Sequence, residues 1–260
     1  MSFACRRRSA AWFCRAARAA FGRNMETKFD IIHEDNHIIV VVKPFDVPSQ
    51  EDESGDKDML TMVKEYIAVK YEKKGNAFAG LLHRLDRPTG GVMVFAKTSK
   101  AAARLSETIR EGEFEKKYFA VVAGEPKERQ GRLSHYLLKD EKSNNVAIVP
   151  MSTEGAKRAE LDYKVLKTSG GVSLVNIDLI TGRSHQARVQ MNSLFTPIFG
   201  DVRYGGQKAA GGDLALFAYS LRFIHPVTKI PMVFKACPPV DTVPWNTFKA
   251  TVELHVETSY

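Results

Sequence analysis

The strongest constraint on the fold is the way in which apolar stretches pair along the chain. The segment AELDYKVLKTSGGVSLVNIDLITG, residues 159–182, holds two apolar runs on either side of Ser169-Gly170-Gly171. Small residues between two such runs predict a β-hairpin. The segment LALFAYSLRFIHPVTKIPMVFKACPP, residues 214–239, predicts a further pair of strands. Strands that come in hairpins argue against a regular βαβ alternation and favour an α+β fold.

Other stretches predict the remaining elements. Apolar runs that end at Pro, Gly or Lys predict buried strands in HIIVVVKP, GGVMVFAK and KKYFAVVAG. Apolar residues at helical spacing predict helices in MLTMVKEYIAVKYEKK and in SKAAARLSETIREGEF, the second capped by Ser99. We also expect a short helix in SHQARVQMNSLF, capped by Ser184, and a polar loop in LKDEKSNN, residues 138–145.

Composition narrows the class of protein. With 260 residues, 44% of them hydrophobic, the chain suffices for one large domain with a sizeable core. No apolar run approaches the roughly 18 residues of a membrane span, and three scattered cysteines argue against a disulfide framework or a zinc site. His33 and His37 have no further ligand nearby, so we expect a turn there. The scattered cysteines and the isolated His pair indicate no metal site, and the lack of a glycine-rich phosphate loop indicates no nucleotide cofactor.

The first 25 residues differ from the rest in charge. They contain six of the 38 basic residues, all arginine, and no acid, which leaves 32 basic against 30 acidic residues beyond them. One face of a helical wheel collects the apolar residues Ala10, Phe13, Ala17 and Phe21. This pattern is typical of a mitochondrial transit peptide, so we expect residues 1–25 to be a targeting segment and the protein to be mitochondrial. The alternatives are a cytoplasmic protein with a basic arm that binds RNA, or translation from Met25.

Three segments concentrate side chains that chemistry could use. They are HRLDRPTGG at residues 83–91, KKY at 116–118 and TGRSHQAR at 181–188, the last followed by PIFGD at 197–201. Taken singly, each has an ordinary structural explanation. An Asp beside Pro and Gly caps a turn, a Tyr at the start of a strand lies in the core, and an Arg on a short helix is solvated or paired at the surface. The spacing of the segments along the chain does not predict that they meet in the fold.

Together, the segments resemble the successive motifs of the RluA-like family of RNA pseudouridine synthases. HRLDRPTGGVMVFAKT, KKYFAVVAGEP, TGRSHQARVQM and PIFGDVRYGG occur in that family's order, and the resemblance runs from about Ile31 to Pro238. It implies the α+β pseudouridine synthase fold, in which a mixed, mostly antiparallel central sheet is flanked by helices and loops and carries an active-site cleft. It also implies an isomerase that converts uridines of tRNA or rRNA to pseudouridine without a metal or cofactor.

The resemblance assigns roles to individual residues. Asp86 matches the essential aspartate, Tyr118 the tyrosine that packs on the target base, and Arg188 the arginine that pairs with the aspartate. Arg84 matches a residue near the space left by the flipped base, and Leu216 an apolar wall of the pocket. The other side chains expected to contact RNA are Arg87, Arg183 and His185.

Elementary chemistry agrees with these roles. A uridine in a helix must be flipped out of its stack before it can react. Asp86 must be ionised to act as a nucleophile, and a nearby guanidinium such as that of Arg188 favours the charged form. Tyr118 offers a flat apolar face, and its hydroxyl is a candidate for removing the C5 proton. The sequence leaves open whether Asp86 attacks C1′, adds at C6 or abstracts a sugar proton.

The chain departs from the family pattern at two positions. Gly90 stands where the family usually has Ser, and Phe217 stands where it often has His, which raises a question about the geometry of the pocket. We also expect no separate N-terminal RNA-binding domain, because too few residues precede the first strand. Residues 26–260 are therefore predicted to form a single catalytic domain that selects its RNA itself, and the resemblance favours a monomer.

Two other functions stay open on the sequence alone. Because of Gly90 and Phe217, the chain is compatible with a module of the same fold that binds RNA without catalysis. A glycosidase with an aspartate nucleophile is the second alternative. A retaining glycosidase requires another carboxylate about 5 Å away, and Asp201 is only a remote candidate for a partner of Asp86.

Overall fold

A computed structural model describes residues 27–73, 75–206 and 214–259, so the expected targeting segment lies outside the described residues. Within this range eleven strands form one sheet. In chain order they are β1 (Asp30–Glu34), β2 (Ile38–Lys43), β3 (Gly80–Leu81), β4 (Gly90–Ala96), β5 (Glu115–Ala123), β6 (Gln130–Asp140), β7 (Asn145–Val149), β8 (Lys157–Ser169), β9 (Val172–Leu179), β10 (Leu216–Ile224) and β11 (Pro231–Lys235).

The order of the strands confirms the predicted α+β class. Along the sheet it is β1-β2-β4-β10-β5-β9-β8-β6-β7, with β11 paired to β10 and β3 paired to β4. Among the described strands β4 and β10 pair in parallel, and the other pairs are antiparallel. The sheet is therefore mixed and mostly antiparallel, and the predicted hairpins β8–β9 and β10–β11 are both present.

Four α-helices accompany the sheet within the described ranges: α1 (Met59–Lys70), α2 (Ser99–Arg110), α3 (Gln186–Asn192) and α4 (Lys249–Thr258). Both predicted caps are wrong. Thr98, not Ser99, caps α2, because its side chain accepts from the backbone N–H of Ala101. Helix α3 begins after His185 and has no side-chain cap bond, so Ser184 does not cap it.

Neither the β6–β7 hairpin nor helix α4 was predicted from the sequence. The segment expected to be a loop, residues 138–145, contains the end of β6 and the start of β7, and only residues 141–144 connect them. In strand β6 only Leu137 is buried and the other residues are exposed or half-buried, so the strand lacks the apolar alternation that marks a strand in sequence. In helix α4 the apolar residues Val252, Leu254 and Val256 alternate, which is the spacing of a strand.

The sheet is buried on both faces near β2 and β4. In β2, Ile39 and Val41 join the apolar cluster on one face, whereas Ile38 and Val40 join the cluster on the other. Successive strand residues point to opposite faces, so both clusters receive apolar side chains and the strand sequence is apolar without interruption. Helix α1 packs on the first face and α2 on the second. None of the described helices combines the length and apolarity of a membrane span.

A carboxylate network ties β1 to α1 and gives a prediction about acid stability. Burial raises the pKa of Glu34, but hydrogen bonds from Lys70, Lys97, Tyr71 and Tyr66 outweigh it and lower the pKa from 4.5 to about 2. A lowered pKa stabilises the folded state above pH 4.5, and this contribution is lost as the pH falls towards 2. It amounts to about 3 kcal/mol at most.

We expect Glu34→Gln to remove this acid-dependent stability. The urea midpoint of the wild type should exceed that of the variant at neutral pH, and the two should converge as the pH falls from 4.5 to about 2. Glu257→Gln changes an exposed glutamate and serves as the control. A constant gap between wild type and Glu34→Gln over that range would contradict the linkage.

Candidate active site

The three segments singled out in the sequence meet at one cleft. Its volume is about 1550 Å³. The loop between β3 and β4, the start of β5, the end of β9 and the loop before α3 surround it. The eight predicted site residues all line this cleft: Arg84, Asp86, Arg87, Tyr118, Arg183, His185, Arg188 and Leu216. The tertiary structure thus brings together three segments whose spacing along the chain gave no sign that they meet.

The loop that carries Asp86 is fixed on both sides of that residue. Ser49 Oγ donates to the carbonyl of Leu85 at 2.7 Å and accepts from its N–H at 3.1 Å. Lys43 is fully buried, and its Nζ donates to the carbonyl of Arg87 at 2.9 Å and to two carbonyls of the loop after β2. Burial lowers the pKa of Lys43 to about 7. The backbone on both sides of Asp86 is therefore held in place, and it positions the carboxylate in the cleft.

Arg188 faces two carboxylates. Its Nε and Nη2 donate to the two oxygens of Asp201 at 2.8 and 2.7 Å, and its Nη1 lies 3.5 Å from Oδ2 of Asp86. Burial lowers the pKa of Arg188, but Asp201 and Asp86 outweigh it and raise the pKa. The expected contact with Asp86 is present, yet the tighter partner is Asp201. Both oxygens of Asp201 are engaged by Arg188, which argues against a free second carboxylate of the kind that a retaining glycosidase needs.

His185 also faces Asp86, and Tyr204 hydrogen-bonds to His185. Tyr204 Oη accepts from the backbone N–H of Val146 at 2.9 Å, so its proton is available to His185 Nδ1 at 2.6 Å. The opposite nitrogen, Nε2, then carries a proton and faces Asp86 Oδ2 at 4.0 Å. Burial lowers the pKa of His185, although Asp86 opposes this. The Tyr204 ring also lies 5.1 Å from the guanidinium carbon of Arg188, so one side chain contacts both groups that face Asp86.

We expect Tyr204→Phe to slow turnover about tenfold while the affinity for RNA stays unchanged. The substitution removes the hydroxyl that orients His185 but keeps the ring beside Arg188. Steady-state kinetics measure this difference between turnover and affinity, and the expected result is a lower kcat at constant KM. Tyr71→Phe is a matched control, because it also removes a hydroxyl with two partners, Glu34 and Lys97, outside the residues that line the cleft. An equal fall in kcat in both variants would contradict the positioning role.

Tyr118 and Leu216 are two of the apolar residues that line the cleft. Tyr118 pairs with Ala218 and Leu216 pairs with Ala120, so the two side chains lie on the same face of neighbouring strands. Burial and the nearby Asp86 raise the pKa of Tyr118. A phenol that keeps its proton is a weak base, which weighs against the Tyr118 hydroxyl as the group that removes the C5 proton.

The two departures from the family pattern explain each other. Gly90 and Phe217 are register partners in the parallel pair of β4 and β10. A Cβ at position 90 would lie 3.1 Å from the Phe217 ring and 2.9 Å from the ring of Phe45. The rings of Phe45 and Phe217 thus leave little room for a side chain at position 90. Phe217 is not among the residues that line the cleft, so the pair does not alter the surface that faces a substrate.

The arginines that line the cleft differ in whether they already bind other protein groups. Arg84 is exposed and has no hydrogen-bond or ion-pair partner among the described residues. Arg183 is exposed and uses its Nε to donate to the carbonyl of Arg158. Arg87, by contrast, is paired with Asp46 at 2.9 Å and Asp56 at 2.5 Å. Arg84 and Arg183 are therefore available to an RNA phosphate, and Arg87 is not available without breaking its pairs.

Sequence reasoning missed Asp201 as a partner of Arg188, and it missed Ser49, Lys43 and Tyr204 altogether. The signal for Lys43 was a lysine at the end of a buried apolar run, but its acceptors are carbonyls that no sequence pattern marks. Of the pair His33 and His37, His33 hydrogen-bonds to Asp35 at 3.2 Å. Within the described part of the chain, no group of three or more metal-binding side chains comes together.

The sheet and its cleft belong to a known class of fold. The solved structure of human RNA pseudouridylate synthase domain containing 4 matches with a TM-score of 0.68 and 23% identity, over 87% of this chain and 92% of that one. At this identity the likeness shows the fold, which is that of the pseudouridylate synthases.

Sequence comparison gives the family. Residues 37–193 match the RNA pseudouridylate synthase family. Ribosomal large subunit pseudouridine synthase C of Vibrio vulnificus is 35% identical over 79% of this chain and 64% of its own length. Dual-specificity RNA pseudouridine synthase RluA of Pasteurella multocida is 34% identical over 80% of this chain and 93% of its own length. The chain belongs to the RNA pseudouridylate synthase family, in its RluA-like branch, and is an isomerase of that class.

Proposed function

We propose that the protein isomerises specific uridines of ribosomal or transfer RNA to pseudouridine, with Asp86 as the nucleophile. The observation that carries the proposal is the Asp86 carboxylate in the cleft, 3.5 Å from the Arg188 guanidinium. The names of the relatives support an RNA substrate, since one is a ribosomal large subunit synthase and another a dual-specificity RNA synthase.

The reaction is balanced within the nucleotide. The N1–C1′ bond breaks, a C1′–C5 bond forms, C5 loses a proton and N1 gains one. No water, hydride or phosphate enters, which accords with an isomerase that needs neither metal nor cofactor. Arg188 directs a permanently charged guanidinium at Asp86, with its Nη1 3.5 Å from Oδ2. His185 keeps an N–H directed at the same oxygen.

The substrate uridine must leave its stack to reach Asp86. We propose that the base lies on the Tyr118 ring and against Leu216, two buried side chains of the cleft lining that share one face of the sheet. Arg84 is exposed and unpaired among the described residues, so it is the arginine best placed to fill the space that the base leaves. Arg183 contacts the phosphate backbone of the RNA. Arg87 contacts it only if the RNA displaces the carboxylates that pair with Arg87.

We also propose that the enzyme acts as a monomer in mitochondria. The support for localisation is the amphipathic, arginine-rich and acid-free segment of residues 1–25, and the alternative is a cytoplasmic enzyme. A fluorescent reporter fused to residues 1–25 is expected to enter mitochondria. A reporter that stays in the cytosol would instead favour a basic arm.

The test of the function is a map of pseudouridines in cells with and without this gene. Carbodiimide labelling and reverse-transcription stops are measured on cytosolic and organellar RNA separately. We expect one or a few discrete sites to disappear and to return with the wild-type gene but not with Asp86→Ala. A map that does not change, together with no tritium release by the purified protein, would overturn the proposal.

A further inference from the structure

Lys116 is a cation at the cleft that nothing in the site neutralises. It lies near the start of β5, lines the cleft and is only partly exposed. Its ammonium has no hydrogen-bond or ion-pair partner within the described part of the chain. The neighbouring Lys117 has a carboxylate 3.6 Å away in Asp178. A partly buried charge without a partner is costly, so such a group indicates a ligand of opposite charge.

The charged group that shifts the pKa of Lys116 is another cation. Burial lowers the pKa of Lys116, and Arg183 lowers it further, whereas no carboxylate acts in the opposite direction. The ring of His83 is also close enough to be affected by Lys116. His83 stays neutral, because burial and Lys116 lower its pKa to about 3. The cluster therefore attracts an anion through two cations, Lys116 and Arg183.

The loop before α3 leaves room for the ammonium. A Cβ at Gly182 would lie 2.8 Å from Lys116 Nζ, so the glycine allows the loop to pass directly over the side chain. Gln186 holds this loop in place, since its Oε1 accepts from Thr181 Oγ1 at 2.7 Å and from Arg183 N–H at 3.0 Å. Arg183 and Lys116 are thereby kept on one side of the cleft.

The spacing along β5 relates Lys116 to the base. Lys116 and Tyr118 are two residues apart on one strand, so their side chains leave the same face roughly 6–7 Å apart. That is about the distance from a uracil ring to a backbone phosphate of its own or the next nucleotide. A nucleotide whose base lies on Tyr118 therefore brings a phosphodiester within reach of the ammonium.

We propose that Lys116, with Arg183 beside it, binds the phosphodiester adjacent to the uridine that lies on Tyr118. This proposal rests on the proposed function and adds the site that orients the flipped nucleotide in the cleft. Lys116 binds a phosphate as a point charge, which requires no fixed direction of approach.

The test measures RNA affinity against salt for the full-length protein. A fluorescein-labelled RNA hairpin with uridines in its loop is titrated by anisotropy between about 50 and 200 mM salt. We expect Lys116→Gln to weaken binding about tenfold and to reduce the slope of log affinity against log salt by about 0.7 to 1. The matched control is Lys167→Gln, which removes an exposed lysine outside the cleft lining and should leave both values unchanged.

A double-mutant cycle asks whether the ammonium itself is responsible. Gly182→Ala displaces Lys116 Nζ without changing the charge, and the flexible side chain can yield, so the fold should persist. We expect Gly182→Ala to weaken binding in the wild type but to add nothing in the Lys116→Gln protein. Equal losses in both backgrounds would show that Gly182 acts independently of Lys116 and would count against the site.

A turnover assay separates failure of this site from failure of the function. Ribosomal and transfer RNA are transcribed with tritium at C5 of uridine, and tritium release is measured. If the wild type releases no tritium, the proposed function is wrong, and the phosphate site that rests on it is wrong as well. If the wild type is active and Lys116→Gln keeps its affinity and salt slope, the site alone is overturned. If Lys116→Gln lowers kcat but leaves the salt slope unchanged, the phosphate site is likewise overturned, because Lys116 would then act on the base and not on a phosphate.

Discussion

We expect the Asp86→Asn variant to release tritium at least about 1,000-fold more slowly than the wild type while it binds RNA with similar affinity. The amide has the shape of the carboxylate but neither its charge nor its nucleophilicity. The loop should keep its conformation, because Ser49 and Lys43 hold the backbone on both sides of residue 86 rather than the side chain itself.

The control for this prediction is Asp52→Asn, which removes another carboxylate from the cleft lining. Asp52 lies 3.9 Å from Arg87 and has no contact with Arg188, so turnover should stay near that of the wild type. Circular dichroism and the urea midpoint establish that each variant is folded. Tritium release by Asp86→Asn within tenfold of the wild type would remove Asp86 from the proposed role.

The second large effect concerns stability. We expect Asp201→Ala to lower the free energy of unfolding by about 3–5 kcal/mol, because it leaves the buried guanidinium of Arg188 without its bidentate partner. Asp201 is 1% exposed, so water cannot take over the two lost hydrogen bonds without entering the core. Urea unfolding measures the change as a lower midpoint at unchanged slope.

Two further variants test the reason for that loss. Asp241→Ala removes the exposed carboxylate that faces Lys249 at 2.7 Å and should leave the midpoint unchanged. The double variant Asp201→Ala with Arg188→Met should regain much of the lost stability, since removing both charges leaves no buried ion unpaired. It should remain inactive, because the cation beside Asp86 is gone. A double variant that is less stable than the single one would argue against an unpaired charge as the cause.

Much of the fold could be predicted from local pattern. The hairpin at residues 169–171, the strands β2, β4 and β5, and the helices α1 and α2 each bury apolar residues at their own period, which sequence displays directly. The hairpin β6–β7 could not be predicted in the same way. Strand β6 pairs with β8 and β7 pairs with β6, and both strands bury few side chains, so they carry no apolar pattern in the sequence.

The sequence by itself determined the chemistry of the site: an aspartate between two arginines, a tyrosine on a buried strand and an arginine on a short helix, in an order that resembles one family. Only the tertiary structure decided how these groups are arranged. It shows Arg188 bound most closely to Asp201, Tyr204 hydrogen-bonded to His185 and Val146, and Lys116 beside the cleft with no hydrogen-bond or ion-pair partner among the described residues. The physical reason is that hydrogen bonds and ion pairs depend on distances between segments far apart in the chain, and no residue spacing encodes those distances.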